Sequence, residues 1–574
     1  MSSLSSPFTT VLDTNYSPSS TERGKISSLL KGSERRIRAL EEEISKLQTE
    51  RDELQSFVDR HRALLSPIRR LSVEILGEIF VHTLPKSVFN LGGKLKDAPL
   101  ILTVVSRLWR ETALNTPELW NDIHIHLPRY SEYTPLDQFS SHIMRRKEGI
   151  KSWIDRSGSL PLTIIITVGF HPVLGSATRE DVPVLKEVTK LCTTYSHRWR
   201  TVIFGGNVGR KGSLILEPFA ELTREELPWL RNFRAKGSLF ESHYPEPRLK
   251  AGPLARLLEK PDPIRTLCAT YDPPLLEPLR VHWDSLQELE LVSGKEDPAL
   301  IVSKVAGLCP LLRSFNLQVQ LDSRPLSGSP PPTYWPHLRT IDVMLSIDEA
   351  PSLDAAVSQG FLRVFQRMRA PVLNDLFVQA KTSGPKIRNL HDDEQTFLSV
   401  SSLPFHDMIS ESGRSISHLA LDGMFLLNEQ ALTRSLERLH SLTSLKIMEC
   451  AGGKYGRSVP PLKVATCLVF LASSPEVCPN LAELDVIRCG VDSISPIVSL
   501  VTARSNKLKC LSIDFGVVPP ELAAEIESSI PPDLGKDGGV TIDWKWKEHK
   551  AGTEPYPDHP YSWFTQLQRP HAET

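Results

Sequence analysis

Along the first part of the chain, apolar residues fall at Ile26, Leu30, Ile37, Leu40, Ile44, Leu47, Leu54, Val58, Leu65 and Ile68, mostly in steps of three and four. This spacing predicts a coiled-coil helix over 26–66, with one apolar seam along its side. Ile37, Ile44, Val58 and Leu65 take the a positions, and Leu40, Leu47 and Leu54 the d positions. β-Branched residues at a with leucines at d favour a parallel dimer. Arg51 at a and His61 at d interrupt the seam, while Arg36 at g faces Glu41 at the next e. The pattern predicts a homodimer; a helix folded back on its own chain is the other way to cover the seam. Residues 1–25 mix Ser, Thr and Pro without a period, which predicts a disordered tail.

At Ser66-Pro67 the heptads stop, because proline disfavours helix in the residue before it. Ser72 can cap a new helix whose apolar residues Val73, Ile75, Leu76, Ile79, Phe80 and Leu84 cover most of its circumference. Such a helix needs covering on two sides. A loop, Gly92 to Lys96, leads to a second apolar helix, 98–113, and then to Thr116-Pro-Glu-Leu-Trp120-Asn-Asp-Ile-His-Ile. The span 67–125 reads as a small helical module, marginal in size for a domain, and 126–159 as a linker.

Beyond Leu160, which opens an apolar run to Val168 read as a buried strand, one signature returns repeatedly: L-x-x-Φ-x-Φ, with Φ apolar. It stands at Leu286–Leu291, Leu312–Leu317, Leu338–Val343, Leu373–Val378, Ile416–Leu421, Leu442–Ile447, Leu481–Val486 and Leu508–Ile513. Weaker copies are Trp199–Phe204, Leu230–Ala235 and Ile264–Ala269. The first Φ falls at 202, 233, 267, 289, 315, 341, 376, 419, 445, 484 and 511, with intervals between 22 and 43 residues. Intervals near 20–29 belong to leucine-rich repeats, and longer ones to repeats with inserted loops. Cys450 and Cys489 occupy the position that such a repeat reserves for Cys or Asn, and Gly452 and Gly490 follow closely. The expected fold class is α/β: an N-terminal coiled-coil helix, a small helical module, then an irregular leucine-rich-repeat solenoid over 160–530. Residues 531–574 read as a cap and tail, with Val540–Trp546 as the one strand. Each repeat leaves its apolar face for its neighbour to cover, so stacking yields one core and an extended sheet suited to protein recognition. Residues between the Φ positions then point outward: Glu288, Glu290, Ser314, Asn316, Thr340, Asp342, Lys446, Glu483, Asp485 and Ser512. They carry a mild acidic excess and mark the expected target surface, with the loops His391–Glu394 and Ser323–Tyr334 as possible contributors.

Composition narrows the chemistry. Lys and Arg number 67 against 68 Asp and Glu, a net charge of -1, so no overall field draws nucleic acid or an anionic membrane. No apolar run approaches the ~20 residues of a bilayer span, and Met1–Arg23 lacks the layout of a secretory signal. A cytoplasmic or nuclear protein is expected. The 8 cysteines show no metal-ligand spacing and read as free, mostly buried thiols. The 45 prolines break the chain into many short elements. Gly205-Gly-Asn-Val-Gly-Arg-Lys-Gly-Ser213 has Gly212 between Lys211 and Ser213, which breaks the phosphate-loop triplet, so it reads as a basic turn. His391-Asp-Asp-Glu394 lacks calcium-loop spacing. No catalytic motif, metal site or cofactor is expected.

The span 67–125 resembles the F-box, in the form found in mushroom-forming fungi: a coiled coil, then L-P-x-E-I-L-x-x-I-F, then A-P-L-x-L-x-x-V-C-x-x-W-R-x-x-A-x-x-T-P-x-L-W-x-x-I. Leu71, Glu74, Ile75, Leu76, Ile79 and Phe80 match the first half, and Val105, Trp109, Arg110, Ala113, Pro117, Leu119 and Trp120 the second. Ser72 stands where the family has Pro, and Ser106 where it has Cys. The resemblance implies docking on the Skp-type adaptor of an SCF ubiquitin ligase, through Pro67, Leu71, Ile75, Leu76, Ile79 and Phe80, with Val105 and Trp109 beside them. These residues are otherwise explained as a local helical core. The function implied is that of a non-catalytic substrate-recognition subunit, its solenoid holding an unidentified target protein. The alternative is an interaction scaffold whose F-box-like helices only cap the solenoid.

Overall fold

The computed structural model describes residues 6–85, 96–128, 134–168, 182–205, 210–238, 240–241, 250–251, 253–258, 264–271, 281–293, 297–321, 331–347, 360, 363–382, 406–412, 414–422, 429–448, 465–487, 495–518 and 540–548. Two units divide the chain, Met1–His82 and Thr83–Thr574. Cys450, Cys489, Gly452, Gly490, the loop 391–394 and most of 323–334 lie outside the described residues.

In the first unit a single helix, α1, runs from Ser20 to Leu64. It begins ahead of Ile26, inside the stretch expected to be tail, because a capping box starts it. The Glu22 N–H donates to the Ser19 hydroxyl (3.4 Å) and the Ser19 N–H to the Glu22 carboxylate (2.8 Å). None of its residues is buried, and the seam residues Ile37, Leu40, Ile44, Leu47 and Leu54 stand exposed. A 3-10 turn, Pro67–Arg70, separates it from α2, Val73–His82.

The second unit opens with two short helices, α3 (Leu102–Val105) and α4 (Arg107–Leu114), and continues as a series of strands, most of them joined through a described helix. Fourteen strands form one sheet: β1 Asp122–Leu127, β2 Leu162–Val168, β3 Trp199–Gly205, β4 Asn232–Ser238, β5 Thr266–Tyr271, β6 Glu288–Ser293, β7 Ser314–Leu321, β8 Thr340–Ile347, β9 Asp375–Thr382, β10 His418–Asp422, β11 Ser444–Met448, β12 Glu483–Ile487, β13 Cys510–Val518 and β14 Thr541–Glu548. Their spatial order is their chain order, and every pairing is parallel. Right-handed crossovers in that order place the connecting helices on one face of the sheet. Those helices are α5 Leu136–Arg156, α6 Val182–Thr193, α7 Arg210–Glu221, α8 Pro253–Leu258, α9 Pro298–Leu308, α10 His406–Ser412, α11 Glu429–Leu436, α12 Ala465–Ser473 and α13 Ser495–Arg504.

Register shows why these strands align. All eleven first-Φ residues pair in one line: Val202, Phe233, Leu267, Leu289, Phe315, Ile341, Leu376, Leu419, Leu445, Leu484 and Leu511. The line extends to Ile123 and Ile164 at one end and Ile542 at the other. With Ile143, Leu185, Ile215, Leu257, Val302, Ile409, Leu432, Leu468 and Leu500 from successive helices, these residues form one continuous apolar cluster. A one-residue slip in any strand would turn its Φ residues to the other face.

Three spans differ from the sequence reading. Residues 126–159, expected as linker, hold the end of β1 and the helix α5, which buries Phe139, Ile143, Ile150 and Ile154. The sheet thus starts within the expected helical module, at Trp120-Asn-Asp-Ile123-His-Ile125, where a buried tryptophan takes the first position of the repeat signature. The expected basic turn ends in helix, since Arg210 opens α7. Gly205 closes β3 where a Cβ would lie 2.9 Å from the Thr167 side chain, which accounts for that glycine by strand approach.

Candidate functional site

The residues expected to contact an adaptor fall in both units. In the first, Pro67 opens the 3-10 turn and is exposed, and Leu71 is half-buried. Ser72, the departure from the family's proline, starts α2: its carbonyl accepts from the Leu76 N–H at 3.0 Å, and its hydroxyl lies 3.5 Å from the Ile75 N. Hydrogen bonds from its own backbone and from Ser72 hold the Glu74 carboxyl below the usual range, as suits an acid in a helix's first turn. Leu76 and Phe80 are buried, whereas Val73, Ile75 and Ile79 remain 49%, 52% and 39% exposed. One apolar side of α2 is therefore used inside this chain and the other faces outward.

In the second unit, Ser106 stands where the family has cysteine and caps α4, accepting from the Trp109 N–H at 3.2 Å. Both departures from the family pattern thus serve as helix caps. Arg110 ties α3 to α4 by donating from Nε to the Thr103 carbonyl at 2.7 Å. Val104, Val105 and Leu108 are exposed, and Trp109 is half-buried. Ala113, Leu119 and Trp120 are buried. The Trp120 indole donates to the Ala113 carbonyl at 2.7 Å, meets the Trp153 ring edge-on at 4.8 Å, and lies under the Arg156 guanidinium at 4.7 Å. It fastens the α4 segment to α5.

A second candidate surface is the face of the sheet away from the helices. The register gathers Thr201, Asn232, Thr266, Glu288, Ser314, Thr340, Asp375, His418, Ser444, Glu483 and Cys510 into one row. Two residues further along the strands a parallel row holds Ile203, Arg234, Cys268, Glu290, Asn316, Asp342, Phe377, Ala420, Lys446, Asp485 and Ser512. All the residues expected to point outward belong to these rows. Side chains bond along them: Asn232 to Thr201 (3.1 Å), Thr266 to Glu288 (3.1 Å), Asn316 to Asp342 (3.0 Å) and Thr340 to Asp375 (2.8 Å). His418 Nδ1 lies 2.7 Å from Asp375 Oδ1, and Lys446 3.5 Å from Asp485. Asp342 is only 7% exposed, and its Oδ1 has no hydrogen-bond partner. Burial, with Glu290 on the same face, pushes its carboxyl up to about 7.

No group of three or more His, Cys, Asp or Glu among the described residues is placed to hold a metal ion, and none of the described helices is long and apolar enough to cross a membrane. Cys192, Cys268, Cys309, Cys467 and Cys478 are buried free thiols. Burial pushes Cys192, Cys309 and Cys478 up to about 12, far from a reactive thiolate. In comparisons with known proteins, no family model matches this chain and no curated protein matches it.

Proposed function

We propose that the chain is the substrate-recognition subunit of an SCF-type ubiquitin ligase. On this reading the F-box-like stretch docks on a Skp-type adaptor through the exposed residues of α2, and the sheet unit is a leucine-rich-repeat-like solenoid that holds a target protein. The helix α1 pairs with a second copy. The observation that carries the reading is α2 itself: Leu76 and Phe80 are buried in the chain, while Ile75 and Ile79, on the same short helix, are left outside. A helix of that composition has a second apolar side to cover, and the residues exposed match the F-box pattern. The fourteen-strand in-register array supports the solenoid, and its open polar face supports recognition of a protein. Such a subunit performs no bond chemistry; it raises the effective concentration of target lysines near the ubiquitin-charged enzyme.

One observation favours the scaffold alternative. Trp120 binds the second half of the F-box-like stretch to α5, and the boundary between the two units falls at His82, inside that stretch. The test is co-purification of the full-length chain with a Skp-type adaptor, beside Ile75→Asp, Ile79→Asp. These two side chains are exposed, so the double variant keeps the wild-type melting temperature and loses the adaptor. Phe80→Asp is unsuitable, because a carboxylate there would be buried. A wild type that retains no adaptor, or a double variant that retains it fully, overturns the adaptor role.

A further inference from the structure

In each of these repeats the residue after the opening position of the signature lies at or just ahead of the start of its strand, and from the second on its backbone is hydrogen-bonded to the equivalent residue of the repeat before. The Arg231 N–H donates to the Arg200 carbonyl at 3.0 Å. Arg265 and Thr266 donate to the Arg231 carbonyl at 2.7 and 3.2 Å, and Gln287 and Glu288 to that of Arg265 at 2.8 and 3.0 Å. Arg313 and Ser314 donate to the Gln287 carbonyl at 2.7 and 3.0 Å, and Arg339 and Thr340 to that of Arg313 at 2.7 and 3.0 Å. Six successive repeats thereby place Arg200, Arg231, Arg265, Gln287, Arg313 and Arg339 in line along the N-terminal edge of the strands. With strands roughly 4.8 Å apart, the row is about 24 Å long.

Five of its six members are arginine. Arg200, Arg265, Arg313 and Arg339 are exposed and Arg231 is half-buried. No ion pair joins any of them to an acid among the described residues; the Arg231 guanidinium donates to the carbonyls of Pro228 (3.3 Å) and Leu230 (3.2 Å). The fold does not require arginine at this position, since Asn374, Ser417, Thr443 and Ala482 make the same backbone bonds in later repeats. Like charges held in such a row repel one another, the more so at low salt. A row of like charges that the fold neither needs nor neutralises is satisfied by an anionic partner. Beside it stand the neutral donors Thr201, Asn232, Ser314 and Thr340, and the exposed Trp229 (61%) lies just ahead of Arg231.

We infer that this arginine row binds an acidic peptide segment of a protein partner, extended across the strand ends and about seven residues long at ~3.3 Å per residue. Guanidinium forks match carboxylates in planar, bidentate pairs. Glu288, Glu290, Asp342 and Asp375 on the adjoining face repel a continuous phosphate backbone, whereas a peptide can place its carboxylates only along the row. The inference names the chemistry of the target and rests, for that identification, on the sheet unit being the target-binding part of the proposed ligase subunit.

The experiment uses the full-length chain and fluorescein-labelled octaglutamate, read by anisotropy at about 50 mM salt. Saturable binding is expected, weakened at least tenfold in Arg313→Gln, Arg339→Gln and unchanged in Lys509→Gln, which removes one charge at the equivalent position of the last repeat. Unchanged melting of the exposed-site variants excludes misfolding as the cause. No saturable binding, equal binding by the double variant, or tighter binding of an eight-nucleotide oligothymidylate overturns the inference. Adaptor co-purification by the same double variant is the separate readout of the ligase reading: peptide binding without any adaptor binding leaves the row standing and removes the ligase.

Discussion

Two buried polar side chains show how single residues set the behaviour of the sheet unit. Arg504, only 4% exposed, donates to the carbonyls of Leu471 (2.8 Å), Cys478 (2.9 Å), Ser474 (3.0 Å) and Val477 (2.7 Å). It thus caps the negative end of α12 and holds the turn after it. Arg504→Met leaves those carbonyls without their donor and is expected to destabilise the protein by about 3 kcal/mol, read from urea unfolding; an unchanged midpoint would refute this role. Asp342 acts with the opposite sign. In the unfolded chain its carboxyl ionises near pH 4, and in the fold near 7. Between those values the folded protein keeps a proton that the unfolded chain releases, so stability falls as pH rises, by up to about 4 kcal/mol once above pH 7. Asp342→Asn removes this loss. The variant is expected to match the wild type near pH 4 and to exceed it at about pH 8, measured by melting across that range; a constant difference at all pH values would contradict the assignment.

At the scale of elements, the repeat signature was legible because it is periodic and because each first Φ must face the helices. All eleven such positions lie in one register line. What escaped was β1, hidden inside the expected helical module with tryptophan in the opening place of the signature; proline takes that place ahead of β2, whose apolar run still reads as a strand, so the sheet begins earlier than the signature indicates. Phe139, Ile143, Ile150 and Ile154 in α5 carry a helical period that a linker would not have, and Ser19 with Glu22 spells a capping box; both signals were present in the sequence. The line of Φ residues makes a direct prediction. Leu445→Ala is expected to cost about 2–5 kcal/mol, whereas Lys446→Ala, on the opposite face beside Asp485, is expected to cost less than about 1 kcal/mol. Chemical denaturation of the two variants checks this, and equal losses would contradict the assignment of faces. Helix α2 was legible only as a composition. Its pattern marks Ile75, Leu76, Ile79 and Phe80 alike as apolar, and packing alone shows that Leu76 and Phe80 are inside while Ile75 and Ile79 are outside.

At the scale of the whole molecule, the proposed function needs three separable parts, each with its own exposed chemistry. The seam of α1 leaves Ile37, Leu40, Ile44, Leu47 and Leu54 uncovered, and a chain beginning at Leu65 is expected to be a monomer where the full chain is a dimer, by light scattering. The proposed pairing through α1 and the proposed docking through α2 draw on different residues, so the proposal places both in one assembly. The most direct measurement is the mass, by light scattering, of the full-length chain mixed with a molar excess of Skp-type adaptor. The account predicts one species with two 64.3 kDa chains and two adaptors, reduced to the two chains alone by Ile75→Asp, Ile79→Asp. A wild-type chain whose mass the adaptor leaves unchanged would contradict it, and the scaffold would be the better description of this protein.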